Sequence, residues 1–521
     1  MRKLRAADLD QIGQYIKLVR TYHDAAVGVP PGSAPVIDPT QAEAITYIVN
    51  HPGMQLVMGT NNNAVASGGF GTAWSAGLMN SSTYTDQWVQ MIIGAFGNVA
   101  NTHLREERIR TLEAVLEWRP VQAARLTASL FRNDYLQMLN ERDGGIGGVK
   151  ITFEECETGY DTKKSIECYE QGKSKGMLLY SPWSTGATLA AIPRAHVDKI
   201  PILSMAYGLS ASAEGNTFPW VFIPPVTYWD GASVMVKYMA AREGGLDKLK
   251  GKTLGLIHLD APFGKEPIPV LESLAKKYGF NVKLYPVAAA DMQNQSAVWL
   301  NIRRDRVDYL YNQGWGAMNP TAVKEAVRNN FPMDKLVGVW WAGGDDDARA
   351  GGPQAKGYRS LNLQLAGTNF PVIQDIVKHV VDKGKSLSPK DKVGENLYNR
   401  GVLNSMLIAE ALRNAQKISG KKVPTTEDVR KGMEALNITE ARLKELCMEG
   451  FTIPMKISCN DHSGHTKVYV SEWDGAKWIK NSDWLEPIRD EVRPLIEENA
   501  KDYAEKNAGW PKRTEPCASS S

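Results

Sequence analysis

TLGLIHLDAPFGKEPIPVLESLAKKYGFNVKLYP, residues Thr253–Pro286, decides the fold class. Thr253–Leu259 is an almost unbroken apolar run of strand length. Glu266–Tyr278 carries apolar residues at helical spacing with charges between them, and Asn281–Pro286 returns to strand composition. A strand, a helix of more than ten residues and a second strand form a crossover unit, and such units build parallel sheets covered on both faces.

The rhythm extends both ways. Upstream, Val149–Glu154 reads as a strand, Thr162–Gly172 as a helix, Met177–Tyr180 as a strand, Ala187–Ala195 as a helix and Pro201–Met205 as a strand. Downstream come helix Gln295–Arg303, strand Val307–Tyr311, helix Pro320–Asn330 and strand Leu336–Trp341. The tail reads as helices Leu403–Gln416 and Thr426–Leu436, then short strands Phe451–Ser458, Thr466–Trp473 and Trp478–Ile479. Asp474-Gly475 makes a hairpin turn, and Glu486–Ala504 is a closing helix. The predicted fold is α/β, with two doubly wound lobes sharing several crossovers.

Residues 1–118 lack this rhythm. Asp8–Tyr22 and Asp86–Trp118 read as helices, Pro30–Pro39 as a loop, and Gly53–Ser82 has no clear period, so an extra, mainly helical N-terminal segment is expected. Met1–Arg5 is basic enough to open an export signal, but Asp8, Asp10 and Gln11 break any apolar stretch behind it.

The 521 residues are too many for one core. A net charge of +3 from 61 basic and 58 acidic residues gives no concentrated basic face, so nucleic acid is not an expected partner. Cys156 and Cys168, and Cys447 and Cys459, form two pairs each twelve residues apart. Two local disulfides in an oxidising compartment fit this spacing; reduced buried thiols are the plain alternative. Cys517 is left over near a Ser-rich end expected to fray.

Ligands of doubly wound sheets lie beyond the C-terminal ends of the strands, so the loops after strands carry the candidates. Ser181-Pro182-Trp183-Ser184-Thr185-Gly186 precedes a helix, and hydroxyls with free N–H groups at a helix N-terminus can hold a carboxylate; a simple N-cap is the bland reading. The other loops are Ala206-Tyr207-Gly208-Leu209-Ser210, Asp260–Glu266 with Phe263, Gln313-Gly314-Trp315-Gly316, and Gly343-Gly344-Asp345-Asp346-Asp347. Aromatics with hydroxyls on one wall and carboxylates on the other suit an amphipathic zwitterion, although any single aromatic is as readily a core residue. Asp345–Asp347 by itself reads as a solvated turn. His462 and His465 beside Cys459 and Asp461 read as a polar hairpin loop rather than a metal site, and no cofactor or metal is expected. G-x-S-x-G, H-E-x-x-H and G-x-x-x-x-G-K-[ST] are all absent, and no enzyme is expected. Gly68–Gly71 lacks the flanking strand and helix of a dinucleotide loop.

Leu139–Gly148 (LNERDGGIGG) resembles the helix-to-strand turn of type I periplasmic binding proteins, in the branched-chain amino acid branch of the ABC importers. Cys156–Tyr160, Phe263–Pro267, Gly394–Gly401 and Asp483–Pro487 continue the resemblance in order, over roughly residues 130–515. It implies two lobes: 119–225 and 363–445 in the first, 226–362 and 446–521 in the second. It implies a small amphipathic ligand, such as a Leu/Ile/Val-type amino acid or a related carboxylate or amide, delivered to a membrane permease from the periplasm. By position, Ser181, Trp183, Ser184, Thr185, Ala206, Tyr207 and Gly208 would hold the ligand carboxylate. Phe263 stands where the family usually has a tyrosine, Trp315 would be the next aromatic of the second lobe, and Asp345 would meet the ligand ammonium. The family's Y-R-T-G-P loop is replaced by Glu117–Ala124, which lacks Thr-Gly-Pro. A ligand sensor on the same scaffold, with residues 1–118 as output module, is the competing reading.

Overall fold

The apolar run at Thr253 forms an inner strand, next to one edge, of a seven-stranded sheet in this computed structural model, which describes residues 134–511 together with Arg513, Glu515 and Cys517. The helices and loops read within residues 1–118 lie outside the described residues. Eleven strands are named here: β1 Ile202–Leu203, β2 Val221–Phe222, β3 Thr253–Leu259, β4 Asn281–Val287, β5 Tyr309–Gln313 and β6 Leu336–Gly338. They continue with β7 Arg359–Asn362, β8 Asn437–Ile438, β9 Met455–Lys456, β10 Tyr469–Trp473 and β11 Trp478–Lys480. The large sheet has the order β11-β10-β7-β6-β5-β3-β4, with β3 to β7 parallel and the β10–β11 hairpin antiparallel on β7.

Position in the sheet explains the strand sequences. β3 and β5 lie inside and are buried almost throughout, as both-faced coverage requires. β4 is the edge strand, and it alternates exposed and buried residues and tolerates Pro286, whose missing N–H faces no partner strand. Helix Ile268–Tyr278 covers one face with Val270, Leu271 and Leu274, and ends where Gly279 takes φ 74°. In the hairpin turn, Asp474 Oδ1 accepts from the N–H groups of Ala476 and Lys477.

The smaller sheet is fragmentary. β1 pairs in parallel with β2, and the strand expected at Met177–Tyr180 reduces to one parallel bridge from Tyr180 to Ile202. Tyr169, Ile192, Phe218 and Trp220 pack around it as a separate core. The C-terminal helix, Arg489–Lys506, expected with the second lobe, also buries Ala500 in this core and packs the half-buried Tyr503 against it.

Other expectations are corrected. Val149–Glu154 joins no sheet among the described residues, where Asn140 accepts from Ile151 N (2.8 Å) and donates to Ile151 O (2.9 Å). The strand read at Val307–Tyr311 runs from Tyr309 to Gln313, because Asp308 is occupied in closing the start of β3 through Thr253 N (2.8 Å). The strand read at Leu336–Trp341 stops at Gly338. Ala342 N donates to Val339 O (2.7 Å), turning Trp340–Ala342 into a single 3₁₀ turn. Asp345–Asp347 is no solvated turn: it opens helix Asp345–Arg349, and Asp345 and Asp347 are buried. His462 and His465 are buried too, the first against Val221 O (2.7 Å) and the second against Asp230 Oδ1 (2.6 Å).

Cys156 and Cys168 are joined as expected, but Cys447 and Cys459 are not. Cys459 bonds Cys517, with Cα atoms 5.4 Å apart, and Cys447 is free. The tail that brings Cys517 back is held by Arg513, which donates to Glu434.

Candidate ligand-binding cleft

Helix Thr185–Asp198 begins where Ser184 stops being helical: its Oγ accepts from Ala187 N (3.3 Å) while its own backbone is extended. Thr185 Oγ1 accepts from Gly208 N (3.3 Å), tying the helix N-terminus to the loop after β1. Just before, Trp183 holds φ 51°, a left-handed backbone rare for a bulky residue. Tyr207 locks it there, its hydroxyl accepting from Trp183 N (2.7 Å).

The rings on the other side come from the C-terminal ends of the large sheet's strands. Phe263 follows β3, Trp315 follows β5, and Trp341 sits in the 3₁₀ turn after β6. Tyr228 opens helix Tyr228–Glu243 behind a Thr227–Asp230 capping box. Its hydroxyl accepts from Trp341 Nε1 (2.9 Å), and its ring stacks on Trp340 at 5.5 Å and 6°. Trp341 meets Trp183, Tyr207 and Trp315 edge-on at 5.8–6.0 Å, and Tyr160 stacks on Trp315 at 6.1 Å.

Together Tyr160, Trp183, Ser184, Thr185, Tyr207, Tyr228, Phe263, Trp315 and Trp341 line a half-open space of about 280 Å³, the solvent at its mouth included. Seven are aromatic and two carry aliphatic hydroxyls, and no Asp, Glu, Lys or Arg is among them. Burial pushes the Tyr160 phenol up to about 12 and the Tyr228 phenol well above its ordinary range. Such a lining can bury an apolar body and offer hydroxyl and helix N-terminal contacts to one polar end.

Of the residues expected from sequence, Trp183, Ser184, Thr185, Tyr207, Phe263 and Trp315 come together here. Ser181, Ala206, Gly208 and Asp345 do not line the space. Ala206 O accepts from Trp340 Nε1 (3.0 Å), and a Cβ at Gly208 would lie only 3.0 Å from the Thr188 methyl, so both are framework behind the wall. Asp345 accepts from Asn396 N (2.9 Å) at the head of helix Asn396–Ser419, with burial raising its carboxyl to about 7. Tyr160, Tyr228 and Trp341 are the additions.

Residues 133–477 match the family described as periplasmic binding protein. The chain belongs to that family. A solved structure from the Pseudomonas fluorescens group, described as an ABC transporter permease, is 38% identical, with TM-score 0.70, over 75% of this chain and 95% of its own. A branched-chain amino acid ABC transporter from Thermus thermophilus with bound valine is 18% identical, with TM-score 0.60, over 71% and 94%. A solute-binding protein of an ABC transporter from R. palustris, in complex with benzoate, is 16% identical, with TM-score 0.54, over 70% and 94%. No curated protein sequence matches the chain. Periplasmic binding proteins of this kind are the solute-binding components of ABC transporters, and this member has their mixed α/β fold. Among the described residues no helix is long and apolar enough to cross a membrane, and no three His, Cys, Asp or Glu side chains are grouped to hold a metal ion.

Proposed function

We propose that this periplasmic binding protein captures a small carboxylate-bearing molecule with a largely apolar body in the aromatic cleft and delivers it to a membrane permease. The observation that carries this reading is the convergence of seven rings on the capped N-terminus of helix Thr185–Asp198. The helix end offers partial positive charge and N–H donors to a carboxylate, and the rings take the rest. Valine and benzoate, named with two of the fold's relatives, share a carboxylate on an apolar body. The lobes are divided as 119–225 with 363–445 and 226–362 with 446–521, so that closure is a hinge motion at the crossovers. Two disulfides favour an oxidising compartment, the periplasm.

Three cleft tryptophans make binding directly readable. Titration of the whole chain with a panel of amino acids and of aliphatic and aromatic acids should change tryptophan fluorescence saturably for at least one class. A panel in which no member changes fluorescence or raises the melting temperature would reject the cleft as a solute site.

A further inference from the structure

Seven rings around one space would ordinarily read as a cage for a cation, since ring faces attract positive charge. A side chain outside the lining reverses that reading. Arg400, on helix Asn396–Ser419, is only 1% exposed and lies 5.4 Å from the centroid of Trp341. Its donors go to neutral acceptors: Gln364 Oε1 (2.5 Å), Asn362 Oδ1 (2.6 Å) and Trp340 O (3.1 Å). No carboxylate among the described residues pairs with it; the ionisable groups that act on it are the phenols of Tyr469 and Tyr228, which burial keeps neutral by raising both well above their ordinary range.

The carboxyls one would expect to balance it are committed elsewhere. Asp345 caps Asn396 N, and Asp347 accepts from Asn319 Nδ2 (3.3 Å). Glu266 accepts from Ser210 Oγ (2.6 Å). Burial raises them to about 7, about 8 and about 7, which weakens the negative charge each carries at neutral pH. Burying an uncompensated guanidinium is costly. Resting on the reading of the cleft as a solute site, we propose that Arg400 sets the charge of the ligand: from behind Trp341 it selects a monoanionic acid with an apolar or aromatic body over the zwitterion, the neutral amide and the cation of the same shape. The Trp341 ring, already polarised by one cation, disfavours a second. The lining also lacks a carboxylate for an ammonium group. At an effective dielectric of about 20, a unit charge within about 10 Å of a guanidinium changes affinity by roughly tenfold or more.

The test uses molecules matched in shape and differing in charge. Benzoate, benzamide and benzylamine form one set; 4-methylpentanoate, its amide, its amine and L-leucine form the other. Calorimetry on the full chain should rank each acid first, by about tenfold or more. Arg400→Lys keeps the charge and should keep the order. Arg400→Gln should bring acid and amide to within about threefold of each other, with the amide's own affinity little changed. An amide, amine or zwitterion ranked first in the parent overturns the proposal while leaving the cleft a solute site, and this ranking stands even if Arg400→Gln fails to fold. Persistence of the acid preference in a folded Arg400→Gln also overturns it. Binding of no member of either set overturns both this proposal and the reading of the cleft on which it rests.

Discussion

Trp183 is held with a left-handed backbone by one phenol, Tyr207, at a local cost of about 1–3 kcal/mol. Strain of that kind persists where the surroundings impose it, and here it accompanies an indole that lines the cleft. Thr185 and Trp315 carry the clearest residue-scale prediction. Thr185→Val removes a hydroxyl at the helix N-terminus without changing size, and a lost hydrogen bond to a charged group costs about 1.5–3 kcal/mol, or ten- to a hundredfold in affinity. Trp315→Ala removes the ring stacked on Tyr160 and should also weaken binding. Trp315→Ala should melt near the parent and Thr185→Val somewhat lower, because it also leaves Gly208 N without its acceptor, whereas Lys276→Ala should leave affinity unchanged. Parent-like titrations for both cleft variants would mean that the ligand binds elsewhere. The place of Ser184 and Thr185 at a helix N-terminus is legible in sequence because a hydroxyl pair before an apolar helix is a common cap, and Ser184 takes that role. Tyr228 is not legible: it sits on the first turn of a helix buried nearly all round, where apolar pattern alone says core. The Thr227–Asp230 capping box was the available signal, since it places Tyr228 at the helix's open end.

At the scale of elements, legibility followed burial. β3 has the predicted bounds because both of its faces are covered, so apolar composition and strand end together. Trp341 was read as the end of a strand, and the 3₁₀ turn that aims it into the cleft depends on Gly338, where a Cβ would come within 2.5 Å of the Tyr358 hydroxyl. That contact exists only in three dimensions. Cysteine pairing failed for a similar reason: proximity in sequence favoured Cys447 for Cys459, but the returning tail brings Cys517 from 58 residues away. A cross-link over 58 residues stabilises by about 4 kcal/mol in the loop-entropy account, against about 3 for the twelve-residue link. Denatured, unreduced protein should therefore show one reactive thiol, Cys447. Cys517→Ser should show two and melt lower, whereas Cys447→Ser should show none and melt like the parent. Five reactive thiols in the parent would sink the assignment of both bonds.

For the whole molecule, four buried ionisable groups bind protons more tightly than in water. Burial raises the Glu266 carboxyl from 4.5 to about 7, and it raises Asp345 to about 7 and Asp347 to about 8. Burial alone would lower His465, but the Asp230 carboxylate beside it prevails and raises it above 6.5. Each group binds its proton more tightly folded than unfolded. For His465, the stabilising contribution is complete below about pH 6.5 and is lost as pH rises through the folded value. For the three carboxyls, ionisation of the unfolded chain above about pH 4.5 favours unfolding until the folded groups ionise in turn. Stability should thus fall from about pH 5 to pH 8, by several kcal/mol if the effects add. On the acid side, Glu434 works the opposite way. Despite burial, its partners His462, Arg513 and Arg430 hold it down at about 2, so its contribution is present above the unfolded value of 4.5 and disappears in acid. The two limbs place the maximum near pH 5. Glu266 joins the loop after β3 to Ser210 beside the small sheet, through Ser210 Oγ (2.6 Å) and N (3.2 Å). Glu266→Gln keeps an acceptor there and never ionises, so it should flatten the alkaline limb between pH 5 and 7 and leave the acid limb unchanged. Melting curves at half-unit steps from pH 4 to 9 decide the matter. A parent melting temperature that climbs from pH 6 to 8, or a Glu266→Gln variant that declines as steeply as the parent, would show that these buried carboxyls do not govern the molecule's stability.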